Sequence, residues 1–161
     1  MANYYISSVG YAAVAQFAIN TAYVSTSNGG RGDYIRKLGA ETVGNERVHR
    51  CTTSGTSGGA EAAWNLTNHA TTTQGTAVFT ECTADEAEQV AGNWKAPGAR
   101  LSLLNSTKGT SGDTFFVSSD HAETVATSLN FSYSGVAAGP MKFISVTRTA
   151  GSIPPVTADY T

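Results

Sequence analysis

Short apolar and polar stretches alternate along the chain with no sustained helical period, and most of them predict strands. Residues 2–19 alternate loosely through Tyr5, Ser7, Val9 and Tyr11. This predicts a strand at 3–8 and leaves 11–17 open between a strand and a short helical turn. Residues 21–25 predict a short strand around Tyr23 and Val24, and 27–33 a loop, because Asn-Gly and Gly-Gly supply the positive-φ positions that tight turns need. A returning strand is expected at 34–38 and a second turn region at 39–45. Residues 46–53 set Val48, Arg50 and Thr52 against Arg47, His49 and Cys51, the alternation of a half-buried strand. Residues 54–73 have no period and predict a loop pinned by Trp64, whose large apolar area can anchor a long excursion. Residues 75–83 predict the closing strand. The stretch 48–82, with both cysteines and Trp64, is the best-defined unit of the chain.

Beyond it, 84–91 carries Asp85, Glu86 and Glu88 near its start and predicts a short helix, since acids favour the positive N-terminal end. Pro97 suits the first turn of another, 97–105, with Leu101, Leu103 and Leu104 seeking a core. Strands are expected at 112–119, 129–134 and 141–147, divided by turns without helices. That texture suggests the opening coil of a β-solenoid or the sheet of a sandwich. The fold class expected is mainly β: a small antiparallel β-module at 1–91, then β-solenoid, β-helix-like or sandwich strands at 92–161, with one or two short helices. If the second part is a solenoid, a natural chain longer than these 161 residues is the expectation.

Composition narrows the partners. The 161 residues suffice for one domain or two small ones. Only 14% are charged and the net charge is −2, which gives no electrostatic reason to expect nucleic acid or an anionic membrane. Thr suits pleated strands, and Ser and Gly suit turns. No apolar run approaches the roughly 18–20 residues of a membrane span. The start, Met-Ala-Asn-Tyr-Tyr-Ile-Ser-Ser, lacks a basic n-region and a long apolar run, so it does not read as a signal peptide. The expected product is made in a cytoplasm and stays there or leaves by lysis. Cys51 and Cys82 are too few for a zinc site, and the reading is two buried free thiols on neighbouring strands, with a disulfide as the alternative.

Two stretches carry a resemblance. The first is marked by Phe17, 21–24 (Thr-Ala-Tyr-Val), 43–48 (Val-Gly-Asn-Glu-Arg-Val), 50–59 (Arg-Cys-Thr-Thr-Ser-Gly-Thr-Ser-Gly-Gly), Trp64 and 75–81 (Gly-Thr-Ala-Val-Phe-Thr-Glu). On these residues, 17–82 resembles the small β-modules related to chitin-binding-type carbohydrate-binding domains that recur in phage structural proteins. Phe17 and Phe79 stand where such modules carry Trp, and Ala62 where a Pro precedes the loop Trp. The second is marked by 112–123 (Gly-Asp-Thr-Phe-Phe-Val-Ser-Ser-Asp-His-Ala-Glu), 144–146 (Ile-Ser-Val) and 154–159 (Pro-Pro-Val-Thr-Ala-Asp). On these, 112–159 resembles the opening of right-handed parallel β-helices in phage virion proteins.

The resemblance implies a non-enzymatic bacteriophage virion protein: a capsid decoration, head fibre or tail fibre component. It would assemble in the host cytoplasm and act through contacts with other virion proteins and with further copies of itself. The alternative is an adhesin that recognises a host surface glycan, and the less favoured third is a glycan depolymerase fragment. No cofactor, metal, nucleic acid or membrane span is expected.

Among candidate chemistry, the aromatic group Phe17, Tyr23, Tyr34, Trp64 and Phe79 leads. Read as a binding face, Trp64, Tyr23 and Tyr34 would stack on a sugar; read as core, the group fills a module of roughly 65 residues that is short of apolar volume. Trp64 is the one expected to be partly exposed. Asp113, Asp120, His121 and Glu123 form the densest polar cluster. An enzyme would use Asp120 and Glu123 as paired carboxylates with His121 as proton carrier, whereas a strand-end turn needs the same residue types for its own hydrogen bonds. The second reading is preferred, and no catalytic residue is assigned. Arg31-Gly32-Asp33 matches a receptor-read tripeptide, but each residue type suits a turn. Asn65, Asn105 and Asn130 begin glycosylation-like patterns of the sort that a Thr- and Ser-rich chain produces by chance. His49 and His69 are isolated and read as surface or hydrogen-bonded histidines.

Overall fold

The computed structural model describes residues 1–85, 88–90, 93–103, 112–124, 139–148 and 152–161. Its strands are, in chain order, β1 Asn3–Ile6, β2 Ala22–Tyr23, β3 Tyr34–Arg36, β4 Val48–Thr53, β5 Gly55–Thr56, β6 Thr71–Gln74, β7 Ala77–Glu81, β8 Gln89–Val90, β9 Asn93–Trp94, β10 Thr114–Ser118 and β11 Lys142–Val146. Short helical turns occur at Ser8–Ala12, Ser27–Gly30 and Thr157–Asp159. The protein is thus mainly β. It divides into two units, Val14–Thr83 and Met1–Ala13 with Ala84–Thr161.

In the Val14–Thr83 unit the main sheet is antiparallel, in the order β3-β4-β7-β6, and β2 pairs with β5 beside it. Alternation sets which side chains point inward. On β7, Ala77, Phe79 and Glu81 are buried while Val78 and Thr80 are half-buried. On β4, His49 and Cys51 are buried and Arg50 and Thr52 are half-buried. The core gathers Phe17, Tyr23, Ile35, Cys51, Ala77 and Phe79, with Trp64 packed against it. Gly75 makes the β6–β7 hairpin possible: its φ is 65°, and a Cβ there would collide with the Thr56 carbonyl and the Gly58 amide. The stretch 54–73, expected as loop, holds β5 and most of β6. Thr71–Gln74 is a strand without an apolar residue, because its inward side chains, Thr72 and Gln74, are buried polar groups.

In the second unit, β1, β10 and β11 form a parallel sheet in that order. Tyr4, Phe115 and Phe143 stand in register across it, as do Tyr5, Phe116 and Ile144. The first set stacks as a ladder, with ring centroids 5.2 and 5.0 Å apart and planes tilted by only 25° and 18°. Parallel strands are commonly covered on both faces and read as continuous apolar runs, as Tyr4-Tyr5-Ile6 and Phe115-Phe116-Val117 do. One face packs Ile6 and Phe115 with Ala84 and Leu103; the other packs Tyr5 and Phe116 with Trp94 and Val146. Residues 1–13, grouped by sequence with the first module, lie in this unit because β1 pairs with β10. Part of the helix expected at 84–91 is instead β8, Gln89–Val90, paired with β9. The strand expected at 129–134 and the end of the helix expected at 97–105 lie outside the described residues. The described strands form separate small sheets, and a β-helix or solenoid is not shown among them. Among the described residues no helix is long and apolar enough to cross a membrane.

Candidate functional site

The Val14–Thr83 unit carries a groove of about 470 Å³, lined by Lys37, Glu41, Thr42, Asn45, Glu61 and Trp64 with Ala62, Ala63 and Leu66. Two irregular segments supply it, 37–45 and 61–66, and the sheet holds the second. The buried Gln74 amide accepts from the Ala62 N–H at 2.8 Å and donates to the Ala62 carbonyl at 2.9 Å. Thr72 Oγ1 accepts from the Asn65 N–H at 2.9 Å. The Trp64 indole N–H donates to Glu61 Oε1 at 2.7 Å, and the same oxygen accepts the Leu38 N–H at 2.8 Å. One carboxylate therefore orients the tryptophan and ties its segment to the other wall.

Trp64 is half-buried. Its ring meets Phe17 and Phe79 edge-on, each with centroids 5.4 Å apart, and lies 4.5 Å from the His49 ring. An indole fixed on several sides yet lining a groove is pre-organised to stack on a ligand, with little side-chain entropy left to lose on binding. Tyr23 and Tyr34 are placed differently. Tyr23 is buried and stacks on Phe17 at 5.7 Å, and its hydroxyl accepts the Ala18 N–H at 2.7 Å. Burial raises its phenol above the ordinary value, more than the Ala18 bond lowers it. Tyr34 is buried on β3. Neither lines the groove, so of the three aromatics only Trp64 does. The polar lining, Lys37, Glu41, Thr42, Asn45 and Glu61, was not singled out from sequence. The one local hint was an acid three residues before a loop tryptophan, within reach of its N–H.

The polar cluster in the other unit is a clasp. Asp120 accepts from Ser7 Oγ at 2.7 Å and from Arg148 Nε at 2.9 Å. His121 Nδ1 accepts the Ser8 N–H at 3.1 Å, and its Nε2 faces Glu123 at 3.4 Å. Glu123 also accepts from Ser102 Oγ at 2.6 Å and the Leu101 N–H at 2.8 Å. Asp113 accepts the Ala2 N–H at 2.6 Å. These groups fasten backbone from distant parts of the chain. Among the described residues no cluster of His, Cys, Asp or Glu is arranged to hold a metal ion.

The remaining motifs make hydrogen bonds within the chain. Asp33 accepts the Val24 N–H at 2.7 Å and Ser27 Oγ at 2.6 Å, so its carboxylate serves its own loop. Asn65 Oδ1 accepts the Thr67 N–H; Asn105 and Asn130 lie outside the described residues. His49 is buried, with Nε2 3.1 Å from the Asn65 carbonyl, and the His69 N–H donates to Glu81. Cys51 and Cys82 are buried free thiols. Burial, followed by the nearby Asp33 charge, pushes the Cys51 thiol up, which disfavours the nucleophilic thiolate. No protein-family model, curated protein or solved structure matches the chain.

Proposed function

We propose that the chain is a non-enzymatic structural protein of a bacteriophage particle, a decoration or fibre component whose partners are other virion proteins and further copies of itself. The observation that supports this reading best is the parallel, in-register sheet of β1, β10 and β11 with its aromatic ladder. Its strands β10 and β11 fall in the stretch 112–159 that resembles the opening of virion β-helices, and parallel pairing is what such helices are built on. The sheet has its outermost ring, Phe143, exposed. Proteins of this kind act where they are assembled, so the test is association. The purified chain is expected to form a defined homo-oligomer by light scattering and to co-sediment with phage particles, where cross-linking identifies capsid or tail neighbours. A stable monomer with no affinity for any particle protein overturns the reading.

A second reading, recognition of a host surface glycan, is favoured by one observation: the groove against which Trp64 is held. Polar side chains beside an aromatic face suit the alternating hydroxyl edges and apolar faces of a pyranose. Trp64→Ala is expected to abolish retention of glycan. It also removes contacts with Phe17, Phe79 and His49, so the melting temperature should drop by several degrees. Binding is therefore measured well below the transition. Retention unchanged in the folded variant overturns this reading.

A further inference from the structure

We infer that Arg47 is the positioning residue of the Trp64 groove, an inference that rests on the glycan reading above. Arg47 is 6% exposed and does not line the groove. Its guanidinium nevertheless joins both segments that do. Nη1 donates to the Gly44 carbonyl at 3.1 Å and to the Glu46 carbonyl at 3.0 Å, beside the wall that ends at Asn45. Nε donates to the carbonyl of Leu66, on the Trp64 segment, at 3.2 Å. The charge is balanced from beneath by Glu81, fully buried, with Oε1 3.9 Å from Nε. Glu81 is fixed in turn by the Thr83 N–H at 3.0 Å and the His69 N–H at 3.3 Å. On the Gly44 side, Glu46 Oε2 accepts the Gly44 N–H at 2.7 Å, closing a turn in which Gly44 has φ 91°.

A planar fork of donors is what this task requires. Three carbonyls from two segments must be held at fixed directions at once, and the ion pair beneath supplies the buried positive charge with its counter-charge. Lysine keeps the charge but presents it as a rotatable point, so it cannot hold both walls in one geometry. Trp64 itself is held independently, by Glu61, Phe17 and Phe79. Loss of the guanidinium should therefore change the spacing of the walls around a tryptophan that stays in place.

The test uses the full chain and Arg47→Lys, with N-acetylglucosamine trimer and a panel of neutral trisaccharides as probes. Amide exchange is expected to rise in 41–45 and around Leu66 while β4 and β7 stay protected, and affinity for the retained sugar to weaken by about tenfold or more. Gly44→Ala, which strains the same turn without touching the ion pair, is expected to weaken binding with faster exchange confined to 41–45. Exchange that rises equally across the whole sheet makes Arg47 a general stabiliser and overturns the inference. So does unchanged affinity in a variant whose walls have loosened. If the wild-type chain retains none of the sugars, the glycan reading itself fails and the inference falls with it; if the wild type and Arg47→Lys bind alike, only the inference falls.

Discussion

Phe79→Ala is expected to remove roughly half of the stability of the Val14–Thr83 unit. The ring is completely buried at the centre of β7 and touches three other aromatics, Tyr23 at 5.1 Å, Trp64 at 5.4 Å and Phe17 at 6.2 Å between centroids. Truncating a buried Phe costs about 3–5 kcal/mol, part of it for the cavity left behind. A unit of about 70 residues has a total stability of roughly 4–10 kcal/mol at 0.05–0.15 kcal/mol per residue. The loss is therefore of the same order as everything the unit has. Neighbouring rings cannot easily collapse into the gap, since Phe17 and Tyr23 are themselves pinned: the Phe17 N–H donates to the Arg36 carbonyl and the Tyr23 hydroxyl is bonded to Ala18. Phe79→Leu, which keeps most of the volume, should cost only about 1–2 kcal/mol. Each unit holds one of the two tryptophans, so Trp64 emission in a Trp94→Phe background reports this unit alone during a urea titration. A midpoint for Phe79→Ala within error of wild type would show that the aromatic cluster is not the core of the unit.

How the chain spells this core explains what could be read from it. β4 and β7 each have one covered face, so their side chains alternate, and Phe79, Cys51 and His49 fall inward as the spacing requires. β6 escapes the same reasoning because the residues it buries are Thr72 and Gln74. They are inside to satisfy the backbone of the Trp64 segment, a need that no local pattern announces. The parallel sheet escapes it for another reason. Two of its strands, β1 and β10, are covered on both faces and therefore do not alternate, and they lie far apart in the chain, so their register is a tertiary fact. The site divides in the same way. Trp64 stands out as a large aromatic in a polar loop. Its groove partners Lys37, Glu41 and Asn45 are ordinary turn residues until the fold places them opposite it. Tyr23 and Tyr34 share the aromatic chemistry of Trp64 but fall on strands, where burial keeps them out of the groove. The cluster Asp120, His121 and Glu123 was visible, but its meaning depends on Ser7, Ser8, Ser102 and Arg148, all remote in sequence.

That cluster predicts an acid-sensitive second unit. Burial pushes the Glu123 carboxyl up, but the hydrogen bonds from Ser102 and Leu101, with His121 beside it, outweigh burial and hold it below the usual carboxylate range. Asp120 follows the same pattern: burial raises it, and Ser118, Ser7 and Arg148 together bring it lower. Both groups bind protons more weakly in the folded chain than in the unfolded one. Their contribution is therefore complete above the ordinary carboxylate value of about 4 and is lost as pH falls through that value towards the folded one. Between pH 5 and pH 7 neither carboxylate should change stability. Below about pH 4.5 the clasp on Ser7 and on 101–102 should weaken, and the melting midpoint should fall steeply. Glu123→Gln separates this effect from general acid denaturation. It keeps one acceptor oxygen but loses the charge and the second acceptor, which should cost about 1–3 kcal/mol at pH 7. It should also make the acid limb shallower, because one of the two titrating carboxylates is gone while Asp120 remains. Trp94, buried against Tyr5 and Phe116 in this unit, reports the transition in a Trp64→Phe background. An acid limb as steep in Glu123→Gln as in the wild type would place the acid sensitivity outside Glu123 and leave that carboxylate a hydrogen-bond acceptor without electrostatic weight.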